Sequence, residues 1–299
     1  MAEVVVAAEV AVQRRWDRFS EQARISILLG DRSGPFGYLG DDLDLRGLAI
    51  PPGTKIRKVA LEHVDLSHAR LVDAWIESSS FHFVRFDRAA LVGVADHGNA
   101  FIRCSFLGTD FSRAVLGYEG SRYEECNFER PRLHRTGFVR PQFDDCIFSE
   151  LRGKSTDFAA SSFERCRFIG ELSDVWFRGQ FGYKGDEKRF GRPRPNRMYN
   201  VDFGQARLRD VHFSNGCPLD LVTPPTRETA VVVDKWPERL MRVKRRLQQE
   251  PPDVQSRADG FVEAHLAHAR DQYHYLVVKE ELFEEFGDDL GTMLFQAIT

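Results

Sequence analysis

The chain has 299 residues, a formal net charge of −3 and 12% aromatic residues, which suits one long domain or two modest ones. No apolar run is long enough for a transmembrane helix, which needs roughly 18–20 residues. The first residues carry Glu3 and Glu9 and no basic region, which argues against a secretory signal. We therefore expect a cytoplasmic protein with no membrane span.

The N-terminal segment is predicted to form one amphipathic helix over residues 7–29. Its apolar stripe consists of Val12, Trp16, Phe19, Ala23 and Ile27. Gly30 is a natural helix end, and residues 30–53 are rich in Gly, Pro and Asp, as in an ordered linker with turns. We assign residues 1–53 to a helix and linker that cap the repeat region that follows.

From residue 54 a large apolar residue recurs every five positions, for example at Phe101, Phe106 and Phe111. Two positions before each of them stands a small or slim residue, such as Cys104 or Thr109. Neither the spacing of a helix nor the alternation of a strand explains this period. It fits a chain that turns a corner every five residues, so that four units close a square coil with both marked positions inside.

Four segments, 101–106, 123–128, 143–148 and 163–168, share the pattern aromatic-x-x-Cys-x-Phe. Coils stacked about 4.8 Å apart would place equivalent residues in columns, and roughly seven coils would make a rod of about 35 Å. The predicted core ladder consists of Cys104, Cys126, Cys146, Cys166, Phe106, Phe128, Phe148 and Phe168. A straight column of thiols cannot supply the tetrahedral ligands of zinc, so packing is favoured over a metal or redox role.

These units resemble those of the pentapeptide-repeat proteins, whose fold is a right-handed quadrilateral β-helix. The resemblance covers about half of the chain and implies a mainly β solenoid over 54–218, with an N-terminal capping helix and a C-terminal α-helical region. The pattern is broken at Asp96 and Gly153 and between Phe168 and Phe203. The best-understood members protect bacterial DNA gyrase or related topoisomerases by imitating a DNA duplex, and usually dimerise through terminal helices.

Asp96 and His97 stand where the repeat favours an apolar residue. A lone buried carboxylate is costly. Either Asp96 caps local backbone donors or the segment bulges outward, and a bulge can mark a functional position. Asp96 and His97 are therefore candidates for contact with a partner.

Residues 178–197 interrupt the coils, and 183–197 contains six basic and two acidic residues. Its prolines and glycines argue against a regular element. The candidate partner-binding cations are Lys184, Lys188, Arg189, Arg192, Arg194 and Arg197. They could contact phosphates while Tyr183, Phe190 and Tyr199 stack on bases. The alternative is a mobile, solvated insertion.

Residues 219–299 are predicted to be mainly helical, after a β-prone run at Thr229–Val233. We expect helices from Pro237 to Gln249, from about 257 to 286, and over 288–298. The long helix would carry an apolar stripe suited to a homodimer interface, consisting of Val262, Leu266, Ala269, Tyr273, Leu276 and Phe283. It would also carry His265, His268, Asp271 and His274 in steps of three, which drift around a helix, so a solvated face is favoured over a metal site.

No phosphate-binding, dinucleotide-binding or nucleophile motif is present in the sequence, so no enzyme activity, cofactor or metal is expected. The leading hypothesis is a non-enzymatic scaffold that binds a macromolecular partner through the rod wall, the basic loop and the helical tail. One alternative is DNA-mimic-like protection of gyrase or another topoisomerase, as in antibiotic resistance or self-immunity. Against it, residues 54–218 hold 26 Lys and Arg against 22 Asp and Glu. The other alternative to the scaffold is nucleic-acid association through the basic loop.

Overall fold

The structure is a computed structural model that describes residues 10–30, 34–226 and 229–299, without the side chains of 152–155. Glu3, Glu9 and the predicted helix start at residue 7 lie outside the described residues. Among the described residues, no helix is both long enough and apolar enough to cross a membrane.

Short strands recur through residues 38–214 and pair in parallel, apart from the antiparallel pair of β1 and β2. The strands are β1 (Tyr38–Leu39), β2 (Asp42–Asp44), β3 (Lys55–Arg57), β4 (Ala60–Asp65), β5 (Trp75–Glu77), β6 (Ser80–Arg85), β7 (Ala95–His97), β8 (Ala100–Ile102), β9 (Val115–Tyr118), β10 (Arg122–Glu124), β11 (Asn127–Glu129), β12 (Gly137–Val139), β13 (Gln142–Asp144), β14 (Ile147–Ser149), β15 (Arg152–Ala159), β16 (Ser162–Glu164), β17 (Arg167–Arg178) and β18 (Asp202–Ser214). A separate hairpin pairs β19 (Ala230–Val233) with β20 (Tyr275–Val278).

Helices lie at the two ends and in the inserted loop. They are α1 (residues 10–14), α2 (Glu21–Leu29), α3 (Asp186–Phe190), α4 (Trp236–Leu247), α5 (Pro252–His268), α6 (Lys279–Phe286) and α7 (Asp288–Ile298). The last of them coincides with the predicted helix over 288–298.

The coils stack into a rod with four walls. Wall A consists of β4, β6, β8, β10, β13 and β16, and wall D of β3, β5, β7, β9, β12 and β15. Wall B begins with the bridges that join Arg85, Ser105 and Asn127 and continues as β11 and β14. Wall C consists of isolated bridges that join residues 49, 70, 90, 110 and 132. The mainly β solenoid predicted from the period of five is therefore confirmed.

The corners explain the period physically. A residue with positive φ recurs every five positions, as at Lys58, His63, His68 and Asp73, with φ between 52° and 61°. This left-handed conformation costs an L-residue roughly 1 kcal/mol or more. Hydrogen bonds between coils hold it, such as that from the Lys58 N–H to the Glu77 carbonyl at 3.0 Å.

Stacked side chains fill the axis of the rod. The rings of Phe106, Phe128, Phe148 and Phe168 lie in parallel with centroids 4.8–4.9 Å apart. The four cysteines of the ladder are buried and free of disulfides. Each thiol lies 3.3–3.5 Å from a carbonyl of the preceding coil, to which it donates. Burial raises the pKa of the Cys104 and Cys146 thiols, which suits packing rather than ligation.

The predicted single helix over 7–29 is wrong in its continuity. Turns occupy residues 15–18, and α2 begins after Ser20, whose Oγ accepts a hydrogen bond from the Ala23 N–H at 3.2 Å. The break arises because the first coil holds this stretch. The Trp16 indole donates to the Arg46 carbonyl at 2.8 Å, and the Arg15 guanidinium donates to Asp44 at 2.7 Å.

The predicted long helix over 257–286 is also wrong. The chain leaves α5 at His268, forms β20, and only then enters α6. Tyr275–Val278 is an aromatic and β-branched run, and it pairs with the equally β-prone β19. All four of its side chains are buried.

The apolar stripe assigned to a dimer interface therefore does not exist as one surface. Val262, Leu266 and Ala269 belong to α5 and its end, Leu276 to β20 and Phe283 to α6. Val262, Ala269 and Leu276 are buried within the chain, and Tyr273 is the one member of the set that is largely exposed.

Candidate partner-binding surface

Asp96 points into the rod. Its two carboxylate oxygens accept four hydrogen bonds, from the Asn99 amide at 2.5 Å, the Ser121 and Tyr123 hydroxyls at 2.7 Å each, and the Gly117 N–H at 2.9 Å. Burial raises the pKa of this carboxyl, although each of these donors acts in the opposite direction. Asp96 thus organises the core between successive coils and is not accessible to a partner.

His97, the next residue, points away from the axis on wall D but is only 7% exposed, so it is not itself free to contact a partner. Its imidazole stacks on the Trp75 indole with centroids 3.8 Å apart and contacts the Tyr118 ring at 4.6 Å. Burial between these rings lowers the pKa of His97. The Phe190 ring of the inserted loop contacts the Tyr118 ring edge-on, with centroids 5.4 Å apart, and extends this row of rings.

Wall D carries an uncharged band across its middle coils. One outward row reads Trp75, Ala95, Val115 and Gly137 in register. Trp75 and Val115 are each 36% exposed. The other outward row of wall D, which follows the inward residues, reads Arg57, Glu77, His97 and Tyr118. The equivalent row of wall A contains Glu62, Glu124, Asp144 and Glu164. We call Trp75, His97, Val115 and Tyr118 the aromatic strip.

The inserted loop is docked on the rod by two arginines. Arg140 donates to the carbonyls of Phe190 at 2.6 Å and Arg192 at 3.2 Å. Arg194 bridges Asp144 at 3.0 Å and the Ser162 hydroxyl at 2.7 Å, and is itself only partly exposed. The loop also contains the short helix α3, although the sequence argued against any regular element there.

The loop cations fall into two groups. Arg194 faces the rod and anchors the loop, so it is removed from the candidate binding set. The others are exposed: Lys184, Lys188, Arg189, Arg192 and Arg197. Tyr183 beside them is 80% exposed.

Sequence reasoning missed Trp75 and Tyr118, and it placed Arg140 in a basic cluster on the coil walls without its role as an anchor of the loop. A usable signal existed for Trp75, because a residue next to an inward position of the repeat must face outward, and Trp75 precedes the inward Ile76. For Tyr118 the two-residue insertion shifted the register, as the irregular pairing of β7 with β9 shows. Nothing local marked this role of Arg140, whose partners lie about 50 residues away.

The solvated face expected for the histidines is wrong for His265, whereas His268 and Asp271 are exposed. His265 packs against the rings of Phe261 at 4.3 Å and Trp236 at 5.5 Å, while Asp271 and His274 lie beyond the end of the helix. Within the described ranges, no group of three or more His, Cys, Asp or Glu is placed to hold a metal ion.

Replacing Arg194 by Gln is expected to release the loop locally. A partly buried hydrogen bond to a charged group contributes about 1.5–3 kcal/mol, so amides 187–196 should exchange hydrogen roughly tenfold faster or more. Hydrogen-exchange mass spectrometry measures this. Arg197→Gln is the matched control, since Arg197 is exposed on the same loop, and equal acceleration in both variants would contradict the anchoring role.

Burial lowers the pKa of His265 to about 3. Since the unfolded chain binds a proton near the ordinary value of 6.5, the free energy of unfolding should fall as pH drops below 6.5, by at most about 1.4 kcal/mol per pH unit for this group. NMR titration of the imidazole should show neutral His265 at pH 5. In His265→Phe the acid sensitivity should weaken, and titration of His265 near 6.5 would refute the assignment.

Comparison with known proteins gives low similarity throughout. No protein-family model and no curated protein matches the sequence. Full-length QnrB1, a plasmid-mediated fluoroquinolone resistance protein, is 13% identical with a TM-score of 0.24, covering 57% of this chain and 92% of that one. HetL from Nostoc sp. strain PCC 7120, a pentapeptide repeat protein involved in heterocyst differentiation regulation, is 14% identical with a TM-score of 0.24, covering 62% and 90%.

A third solved structure, the pentapeptide repeat protein Rfr23 from Cyanothece 51142, is 13% identical with a TM-score of 0.16, covering 37% of this chain and 92% of that one. At such values the likenesses support no inference about function. The fold rests on the register of the chain's own coils.

Proposed function

We propose that this chain, a solenoid with the pentapeptide-repeat fold, is a non-enzymatic scaffold that binds a protein partner on wall D. The observation that carries the proposal is the junction of the partly exposed aromatic strip, in which His97 is buried, with the exposed cations of the loop. The aromatic strip continues through the contact of Tyr118 with Phe190 into the docked loop and its exposed cations.

The composition of this surface suits protein binding. Aromatic residues and Arg are enriched at protein interfaces. The loop is held by Arg140 and Arg194, so less conformational entropy is lost when a partner binds than for a free loop. The fitting partner has an apolar patch beside an acidic one.

The helical tail is not assigned to the partner surface. Glu284 of α6 accepts from the Arg209 guanidinium at 2.7 Å, and the Glu281 carboxylate accepts from the Asp210 N–H at 2.5 Å. These carboxylates therefore face the last coils. The proposal accordingly places the partner on wall D and the loop, rather than on the tail.

The charges of the surface disfavour imitation of a DNA duplex. A mimic must present a continuous negative surface to a basic groove. Here the strip is uncharged, the loop is basic, and Asp144 on wall A is paired with Arg194. Topoisomerase protection and nucleic-acid binding through the loop are therefore alternative outcomes of the test.

The test places a photo-crosslinking amino acid at Val115, on the strip, and separately at Arg167, which is exposed on the opposite wall B. Crosslinking in cells followed by mass spectrometry should recover one protein from the position-115 variant and not from the control. Adding Lys188→Glu and Arg189→Glu should reduce that crosslink several-fold.

Three results would overturn the proposal. Equal capture from both positions would show that the strip has no special role. Binding of labelled duplex that weakens steeply with salt, and is abolished by the charge reversal, would favour nucleic acid. Recovery of a topoisomerase subunit from the control wall would favour the mimic.

A further inference from the structure

A cavity of about 180 Å³ lies where wall D ends against the tail. The rod contributes Trp176 from β17 and His212 from β18. The tail contributes Trp236, His265, His268 and Tyr275. The cavity is independent of the surface proposed above, because it shares no residue with the aromatic strip or the loop.

Rings surround the cavity on both sides. On the rod side, Trp176 contacts His212 with centroids 4.4 Å apart. On the tail side, Trp236 stacks on Tyr275 at 4.3 Å. Trp236 and Tyr275 are buried and form the floor, whereas Ala264 and His268 are exposed at the mouth. A small molecule could therefore enter from solvent and rest between aromatic faces.

Asp210, His212 and Tyr275 form a chain of hydrogen bonds beside the cavity. The Asp210 carboxylate lies 2.7 Å from Nε2 of His212, and the Tyr275 hydroxyl lies 3.2 Å from Nδ1. A carboxylate only accepts, so Nε2 carries the proton and Nδ1 accepts from Tyr275. The hydroxyl proton of Tyr275 is thus committed to His212.

His265 is a polar group of the lining that remains open to a ligand. Its ring borders the cavity, and the described part of the chain provides it with ring contacts but no hydrogen bond. Its depressed pKa keeps it neutral near pH 7, so one ring nitrogen donates and the other accepts.

One face of Trp176 is already covered by a cation. The guanidinium of Arg178 lies over the Trp176 ring at 4.5 Å, where an organic cation would otherwise be attracted. It also contributes to the lowered pKa of His268, after the larger effect of burial. The guanidinium is held there by the Asp157 carboxylate at 2.8 Å, so a bound organic cation cannot use this face of the ring.

We propose that this cavity binds a neutral, single-ring aromatic compound that carries one hydrogen-bonding group. The size supports one ring, because an apolar protein cavity of about 150 Å³ accommodates benzene. The ring would lie between Trp176 and the stacked pair of Trp236 and Tyr275. Its polar group would bond to His265.

Phenol is the probe, with 2-naphthol and benzylammonium as comparisons. NMR of the histidine side chains should show saturable, phenol-dependent shifts of His265, and tryptophan fluorescence should change along the same curve. Ala264→Phe should fill the mouth and weaken binding at least tenfold. Ala267→Phe is the matched control, because Ala267 is equally exposed on α5 and does not line the cavity.

Weaker binding of 2-naphthol and benzylammonium than of phenol would support the proposal. It is overturned if phenol gives no saturable shift, if Ala264→Phe and Ala267→Phe bind phenol equally, or if benzylammonium binds more tightly than phenol. The thermal unfolding temperature of Ala264→Phe and of Ala267→Phe should match that of the unmodified protein. This measurement separates loss of the cavity from loss of the fold.

Discussion

Asp96→Leu is expected to destabilise the protein by about 3 kcal/mol, even though it restores the apolar residue that the repeat favours. The change removes the acceptor for four donors that remain buried: the Asn99 amide, the Ser121 and Tyr123 hydroxyls and the Gly117 N–H. Each buried donor left without a partner costs about 1–3 kcal/mol, which outweighs the gain from adding apolar volume. Chemical denaturation of both proteins measures the difference.

The matched control removes one of these donors, the Tyr123 hydroxyl, together with the acceptor. Combining Asp96→Leu with Tyr123→Phe should recover about 1 kcal/mol of the lost stability, because replacing both partners of a buried hydrogen bond by apolar groups is nearly neutral. Ser121 is left in place because its hydroxyl also accepts a hydrogen bond from the Asn99 N–H at 3.1 Å. If the double variant is less stable than Asp96→Leu alone, the network is not the cause of the loss.

The same carboxyl gives a pH dependence with a definite sign. Burial raises the pKa of Asp96 above its ordinary value of 3.8, so the folded state retains the proton to higher pH than the unfolded state. Its contribution to the free energy of unfolding is complete below about pH 3.8 and declines as pH rises through the folded pKa. This decline should be absent from Asp96→Leu, which lacks the carboxyl, when unfolding is measured across acidic and neutral pH.

Phe148→Ala should cost about 4 kcal/mol, the largest loss expected from a single truncation in the ladder. The ring is buried, stacks on Phe128 and Phe168 at 4.9 Å on each side, and meets Phe143 edge-on at 5.1 Å. Because neighbouring coils fix the backbone on both sides, the resulting cavity cannot collapse fully.

Phe83→Ala provides the contrast. Phe83 is 36% exposed at a corner of the rod with φ of 54°, where it stacks on His63 at 4.7 Å. Its truncation should change the free energy of unfolding by about 1 kcal/mol or less. Equal losses in the two variants, measured by urea denaturation, would show that the axial column is not the source of the rod's stability.

The sequence by itself determined the solenoid. Each coil contacts only its neighbours and in register, so the position of one residue in the period decides whether it faces the axis. This is why Cys126 and Cys146, 20 residues apart, could be placed in one column before any coordinates were known. The β-prone run in β19 and the helix α7 were also predictable, because local propensity and burial agree there.

Contacts between distant segments were decided only by the tertiary structure. Asp96 accepts a hydrogen bond from Tyr123, which is 27 residues away in the sequence. Arg194 donates to Asp144, which is 50 residues away. The period shows that Asp96 departs from the pattern, but a polar side chain does not specify its partner in the sequence. The same holds for Tyr118 and Phe190, which join the strip to the loop.

The C-terminal tail shows a second reason why the sequence alone did not determine the structure. Val262, Leu266 and Ala269 continue at helical spacing to Tyr273 and Leu276, so the helical pattern alone extends through a segment that is a strand. Tyr275–Val278 forms β20 because β19 offers a pairing edge and the last coil covers the buried side chains. Helix and strand differ little in local free energy there, and burial against a distant strand decides between them.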